Sequence, residues 1–154
     1  MIEHPHHAKE AFSAEILERI AHVIADVEAA TNAEIRISVR DLREASEADL
    51  SIAEVAKKEF VTLGMHHTEG RVGVLLLVLY HERKFYVLGD EGVHSRVNPE
   101  TWDDVSLALK DHFKKADYEG GLRAALLRIQ HHLKGVLPRK KKSVNELSNE
   151  VVVR

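Results

Sequence analysis

The period of hydrophobic and polar positions changes several times along the chain, and each change marks an element. Behind Ser13, a suitable helix N-cap, the residues Ile16, Leu17, Ile20, Val23, Ile24 and Val27 recur at three- and four-residue intervals. That spacing predicts an amphipathic helix over 14–30. The stretch AEIRISVR then alternates strictly, with Ile35, Ile37 and Val39 facing one way and Glu34, Arg36, Ser38 and Arg40 the other. It reads as a strand with one polar face, lying near a sheet edge or under charged side chains. From about Asp49 to Leu63 the helical period returns, with Leu50, Ala53, Ala56 and Phe60 on one face and Gly64 as its stop. RVGVLLLVLY is apolar on both faces, which predicts a central strand flanked on both sides by paired strands.

HERK, residues 81–84, is expected to be an exposed hairpin turn, and KFYVLG the returning strand. Pro99 opens a third helix along Trp102, Val105, Leu109 and Phe113. A fourth runs from about Glu119 to Lys134, burying Leu122, Leu126, Ile129 and Leu133. The closing EVVVR either adds an edge strand or stays loose. This order predicts an α/β fold, a three-layer helix/sheet/helix sandwich with a small mixed central sheet. Its strands at 34–40 and 72–80 run parallel through a helical crossover, and the strand at 84–89 runs antiparallel. The expected division is a flexible N-terminus over 1–12, the domain over 13–137 and a charged C-terminal tail over 138–154.

Composition narrows what such a domain does. With 154 residues, 44% hydrophobic and 31% charged, the chain has the balance of one ordinary globular domain. Its longest apolar run, Val72 to Tyr80, is too short to cross a bilayer as a helix. The opening MIEHPHHAKE lacks the apolar segment of a secretion signal. The absence of cysteine excludes disulfides, thiolate metal sites and cysteine nucleophiles, and the location expected is the cytoplasm. A formal net charge of −3 offers no overall attraction to nucleic acid. The local exception, Arg139 to Lys142, lacks interleaved aromatics and reads as a solvated tail. Phosphate-binding glycine loops, dinucleotide fingerprints and G-x-S-x-G elbows are all missing.

Candidate chemistry lies in Gly89-Asp90-Glu91-Gly92, where two carboxylates stand between glycines at the end of a strand. The plain reading is a solvated turn. The sharper reading is an oxygen-ligand site, because the strand polarity brings Asp90 and Glu91 to the same sheet rim as Glu34 and Glu69. Asp117 and Glu119 reach that rim if the last two helices pack back across the sheet.

The series AEIRISV, VGVLLLVLYHERKFYVLGDEGVHSRV, FKKADYEGGL and NELSNEVVV resembles the TPM-domain family, named for thylakoid-lumen and photosystem-repair relatives and including small stand-alone bacterial proteins. The likeness covers roughly residues 12 to 152 and rests on several motifs in the right order. It implies a compact helix/sheet/helix sandwich, calcium or magnesium binding as in some members, and the acid-phosphatase activity of a plant-type member. Many members carry a secretion signal and a membrane-anchoring tail, and their lack here weighs against an envelope or thylakoid role.

The acidic positions that match family motifs are Glu34 in AEIRI, Asp90 and Glu91 in GDEG, and Asp117 in ADYEGG. Carboxylate and carbonyl oxygens at an open rim suit hard cations such as calcium and magnesium. The competing readings are an exposed Glu34 paired with Arg36 or Arg71, and Asp117 as a helix N-cap. Eleven histidines are present, but pairs such as His66-His67 and His131-His132 are adjacent, and neighbours on a helix point about a hundred degrees apart. That spacing does not favour zinc. His94 is the one histidine placed near the rim, where a surface loop residue is the plainer reading.

The function expected is therefore a divalent-cation-binding module. The alternatives are a metal-assisted phosphomonoesterase, with a metal-bound water as nucleophile on the same rim, and a pure protein-interaction domain. The partners expected are a divalent metal ion and an unidentified protein, without nucleic acid or membrane, on a monomer.

Overall fold

In the computed structural model, which describes residues 2–138 and 148–154, ten helices and strands of regular type follow one another. They are α1 (Ala8–Ala11), α2 (Ala14–Ala30), β1 (Glu34–Arg40), α3 (Ile52–Thr62), β2 (Gly73–Leu79), β3 (Lys84–Gly89), α4 (Glu91–His94), α5 (Glu100–Phe113), α6 (Tyr118–Leu133) and β4 (Val152–Val153). Two 3-10 turns, Ala45–Glu47 and Met65–His67, flank α3. The basic run Arg139 to Lys142 lies outside the described residues.

The strands form one mixed sheet in the order β3-β2-β1-β4. β1 and β2 are parallel, with Glu34 opposite Gly73 and Arg40 opposite Leu79. β3 returns antiparallel, with Val74 opposite Gly89 and Leu79 opposite Lys84. β2 thus has a paired strand on each side, as its two-faced apolar character demands. The closing EVVVR supplies β4, which adds to the free edge of β1 in parallel, with Ser38 opposite Val152 and Val39 opposite Val153.

Alternation along β2 feeds two separate cores. Val74, Leu76 and Val78 join Ile35, Ile37 and Val39 beneath α2, α5 and α6, against Ile20, Ile24, Leu109, Leu122, Leu126 and Ile129. On the other face Leu77 and Leu79 meet Val55 and Ala56 of α3, while Leu75 meets Phe60 and Met65. The result is the three-layer sandwich that the sequence predicts. Among the described residues no helix is long and apolar enough to cross a membrane.

The polar face of β1 is buried under α3. Ser38 is fully buried and Arg40 nearly so. Arg40 donates to Glu47 at 2.5 Å and to Glu59 at 3.1 Å, Ser38 donates to Glu59, and Arg154 beyond β4 donates to the same carboxylate. Burial works to raise Glu59, but hydrogen bonds from Arg154, Ser38 and Arg40 outweigh it and hold the carboxyl below its ordinary value. Both readings open for this strand are met: β1 lies next to the sheet edge, bordered there by the two-residue β4, and its polar face is covered by charged side chains.

Ahead of residue 13 the chain is packed against the domain. Ala8, Ala11 and Phe12 belong to the main core. The Phe12 ring lies 5.2 Å from that of Tyr118 and 6.2 Å from that of Tyr80. The Tyr80 hydroxyl donates to the Pro5 carbonyl, and the Ala8 N–H donates to Asp41 at 2.7 Å. Residues 4–12 therefore form a strap across the C-terminal ends of β1 and β2.

Candidate functional site

The two ends of the sheet carry different chemistry, and the residues singled out in the sequence divide between them. At the Gly89 end, register sets Glu34 at the start of β1 opposite Gly73, while Asp90 follows Gly89, whose partner is Val74. Glu34 and Asp90 share this rim and both are buried. Glu34 is thus not the exposed strand residue of the plainer reading.

Asp90 has its oxygens occupied. Arg71 donates to it through Nε and through a terminal nitrogen, both at 2.9 Å, in the two-pronged geometry that suits a guanidinium to a carboxylate. Asp90 also caps α4, accepting from the Glu91 N–H at 2.7 Å. Arg71 itself sits in the left-handed backbone region, at φ 57°. Glu91 points into solvent, 81% exposed, with its nearest oxygen 4.0 Å from Arg71. His94, the last residue of α4, is exposed.

The glycines of GDEG serve close packing. A Cβ at Gly92 would fall 2.0 Å from the Gly70 carbonyl oxygen, and one at Gly89 would fall 2.7 Å from the Trp102 ring. The motif folds as a tight strand-to-helix corner built on the chain at 70–71, where the sequence suggested a turn or an ion loop.

Asp117 lies at the opposite end. It caps α6, accepting from the Gly120 N–H at 3.0 Å, and it is bonded to His112 Nδ1 at 2.9 Å. The hydrogen bond from His112 is the main reason its carboxyl stands below the ordinary value. Its neighbour Tyr118 packs on Tyr80, with ring centres 5.6 Å apart, beyond the C-terminal end of β2. The convergence of Asp117 with Asp90 and Glu34 expected from the sequence is therefore not formed, because α5 and α6 bring their connecting loop to the far end of the sheet. Glu119 is likewise occupied, by Arg19 at 2.8 Å.

That far end holds a cavity of about 540 Å³. Its aromatic lining is Tyr80, Phe85, Phe113 and Tyr118, and its polar rim includes Arg83, Lys84, Lys110 and Lys114. The Phe113 ring stands 6.1 Å from that of Phe85 and 5.2 Å from that of Tyr118. Burial first, and the Tyr118 hydroxyl second, push the Tyr80 phenol well above its usual value, so it remains protonated. Arg83 sits in the β2–β3 turn at φ 55°, a left-handed conformation that few non-glycine residues adopt. The strap closes one side of the cavity through His4, Pro5 and His6.

Beside the cavity, His7, Asp41 and His81 each present a ligand atom within 4.8 Å of the others. Asp41 directly follows β1, and His81 lies two residues beyond β2. Parallel pairing continues past the strands, with the Tyr80 N–H donating to Arg40 at 2.7 Å and the His81 N–H to Asp41 at 3.1 Å. Sequence reasoning missed this group and the cationic rim. The available signal was topological: VRD and LYH are the C-terminal ends of neighbouring parallel strands, where α/β sheets tend to place ligands.

A family model for the TPM domain matches residues 7–132. The chain belongs to the TPM-domain family. Its structure is similar to the NMR structure of the BA42 protein from the psychrophilic bacterium Bizionia argentinensis, at 27% identity and a TM-score of 0.83, over 92% of this chain and 94% of that one. The fold is also that of the N-terminal domain of a protein from P. gingivalis, at 18% identity and a TM-score of 0.65, covering 84% of this chain and 81% of that one. The N-terminal domain of the cg2496 protein from Corynebacterium glutamicum shares it at 14% identity and a TM-score of 0.62, over 94% and 92% of the two chains. No curated protein matches the chain. The TPM-domain match begins at residue 7, inside the strap.

Proposed function

We propose that this TPM-domain protein binds an anionic ligand of the phosphoryl class, carried on an apolar body, in the cavity at the Tyr80 end of the sheet. The observation that carries this reading is the convergence of Arg83, Lys84, Lys110 and Lys114 on a concave aromatic floor, in a chain whose net charge is negative. Guanidinium and ammonium groups recognise phosphoryl oxygens by charge-assisted hydrogen bonds. The rings of Phe85, Phe113 and Tyr80 offer the apolar contact that fixes orientation. A calcium or magnesium ion at the acidic rim is the weaker proposal, since an ion there has to displace Arg71 from Asp90.

Titration calorimetry with phenyl phosphate, inorganic phosphate and phenol tests the reading. Phenyl phosphate is expected to bind more tightly than either fragment and to lose affinity in the double variant Lys110→Ala, Lys114→Ala. Equal weak binding of all three, unchanged in that variant, overturns it.

Hydrolysis of a phosphomonoester is the second reading. The observation favouring it is that His81 both lines the cavity and belongs to the His7–Asp41–His81 group. His7, Asp41 and His81 would hold a divalent ion there, which would supply Lewis-acid polarisation of a phosphoryl oxygen and an activated water. Phosphate release from a chromogenic monoester, abolished by chelator and restored by added ion, separates hydrolysis from binding alone.

A further inference from the structure

We infer that His7, Asp41 and His81 form a binding site for a borderline transition-metal ion of the zinc class, which clamps the N-terminal strap onto the ends of β1 and β2. The inference concerns the ion and its class, and it stands whether or not the cavity takes a phosphoryl ligand.

Three segments far apart in sequence supply the donors, and backbone bonds hold each in place. The His7 carbonyl accepts the first hydrogen bonds of α1, from Glu10 at 3.1 Å and Ala11 at 3.2 Å. Asp41 Oδ1 accepts from the Ala8 N–H at 2.7 Å and lies 3.2 Å from His81 Nε2. His81 is tied to Asp41 through its own N–H. The rings of His7 and His81 stack at 6.1 Å with an interplanar angle of 27°. His6 is a reserve donor, its ring 4.5 Å from that of His7 and 6.1 Å from that of His81.

Ligand chemistry chooses the ion. Two imidazole nitrogens and one carboxylate oxygen form a set that zinc accepts, with a fourth position left for water or another donor. Calcium asks for six to eight oxygen ligands, and magnesium for a near-octahedral oxygen shell. A single carboxylate beside two histidines serves both poorly. In a tetrahedral zinc site, with bonds of about 2.1 Å, donor atoms stand about 3.4 Å apart. The present separations, at most 4.8 Å, are those of a site that has still to tighten onto its ion. Both histidines are exposed and have the freedom to turn inward, while Asp41 is the half-buried fixed point.

The mechanical consequence follows from what the strap covers. His4, Pro5 and His6 line the cavity, and His7 is the next residue. An ion joining His7 to the two strand ends fixes the strap where it closes the cavity wall.

The test uses the full chain after chelation, titrated by calorimetry with zinc, calcium and magnesium chlorides in turn, together with the visible absorption of the cobalt(II) form. Zinc is expected to bind at one ion per chain and more tightly than calcium or magnesium, and cobalt to give the intense band of a low-coordinate site. His7→Gln and His81→Gln are each expected to weaken zinc binding about tenfold or more, while His131→Gln, on α6, leaves it unchanged. Because His7 and His81 are exposed, the Gln variants keep the fold, and amide NMR spectra verify this. Zinc affinity unchanged in His7→Gln and His81→Gln, or calcium binding more tightly than zinc, overturns the inference. Backbone amides of residues 4 and 6–8 broadened without zinc and sharpened with it support the clamp, and amides indifferent to zinc refute it.

Discussion

At the Gly89 end of the sheet a carboxylate is enclosed by an arginine, whereas at the Tyr80 end cations stand round an open cavity. Both ends use an arginine in left-handed backbone conformation, Arg71 at one and Arg83 at the other. Arg71, its own side chain half exposed, closes on Asp90 at a glycine-packed corner. Arg83 faces a cavity shared with three lysines and four aromatic rings. The difference teaches that acidic residues beside glycines are no sign of an ion site until the nearest cation has been accounted for. Charge closed into a two-pronged pair holds a fold together, whereas charge gathered round an open cavity, where Lys84 stands a distant 4.0 Å from Glu82, is placed to recognise a ligand.

The largest effect expected from breaking this comparison falls at the strap. Phe12→Ala removes a fully buried ring from the aromatic cluster beneath the cavity and is expected to cost about 3–5 kcal/mol, read from urea unfolding. A cost near zero shows that the strap is loose and that the domain begins at residue 13. Next, Gly92→Ala drives a methyl group into the 70–71 backbone and is expected to cost about 1–3 kcal/mol. Phosphoryl-ligand affinity stays unchanged in that variant, which calorimetry on the folded fraction checks.

A smaller effect sharpens the other end. The double variant Lys110→Ala, Lys114→Ala is expected to leave unfolding unchanged and to weaken phenyl phosphate binding about tenfold or more, the scale of hydrogen bonds to a charged group. Raising ionic strength weakens wild-type binding in the same direction.

The smallest effect is a pH dependence. The hydrogen bond from Arg19 is the main cause that depresses Glu119 to about 2, below its ordinary value of 4.5. A depressed carboxylate contributes stability that is fully present above the ordinary value and is lost as pH falls through the folded one. Arg19→Gln is therefore expected to lower the melting temperature at pH 7 and to lower it much less near pH 2. An equal loss at both pH values contradicts the linkage.

Much of the fold was legible because its elements bury regular faces. KFYVLG became β3 over the residues the pattern marks, and the two-faced apolarity of VGVLLLVL placed β2 inside the sheet. Asp117 followed its plainer reading as a helix cap. The strap was not legible, since Ala8, Ala11 and Phe12 are too few and too small a set to show a period among histidines and charges. The polar face of β1 left two readings open because alternation reports side-chain chemistry and not what covers it. Glu59, the buried partner of Ser38 and Arg40, lies on a helix face assigned from its apolar residues alone. The candidate site depends on contacts between residues 4–7, 41, 80–85 and 110–118. No local pattern encodes such contacts, and only the parallel pairing of β1 with β2 brings the first strand ends together.

The central claim is that recognition occurs at the Tyr80 end and not at the acidic rim. Amide NMR titration of the isotope-labelled full chain with phenyl phosphate tests it most directly. Shifts concentrated at residues 80–85 and 110–118, with residues 89–94 unmoved, are the result predicted. Shifts concentrated at Arg71 and residues 89–94, with the Tyr80 end unmoved, would contradict it.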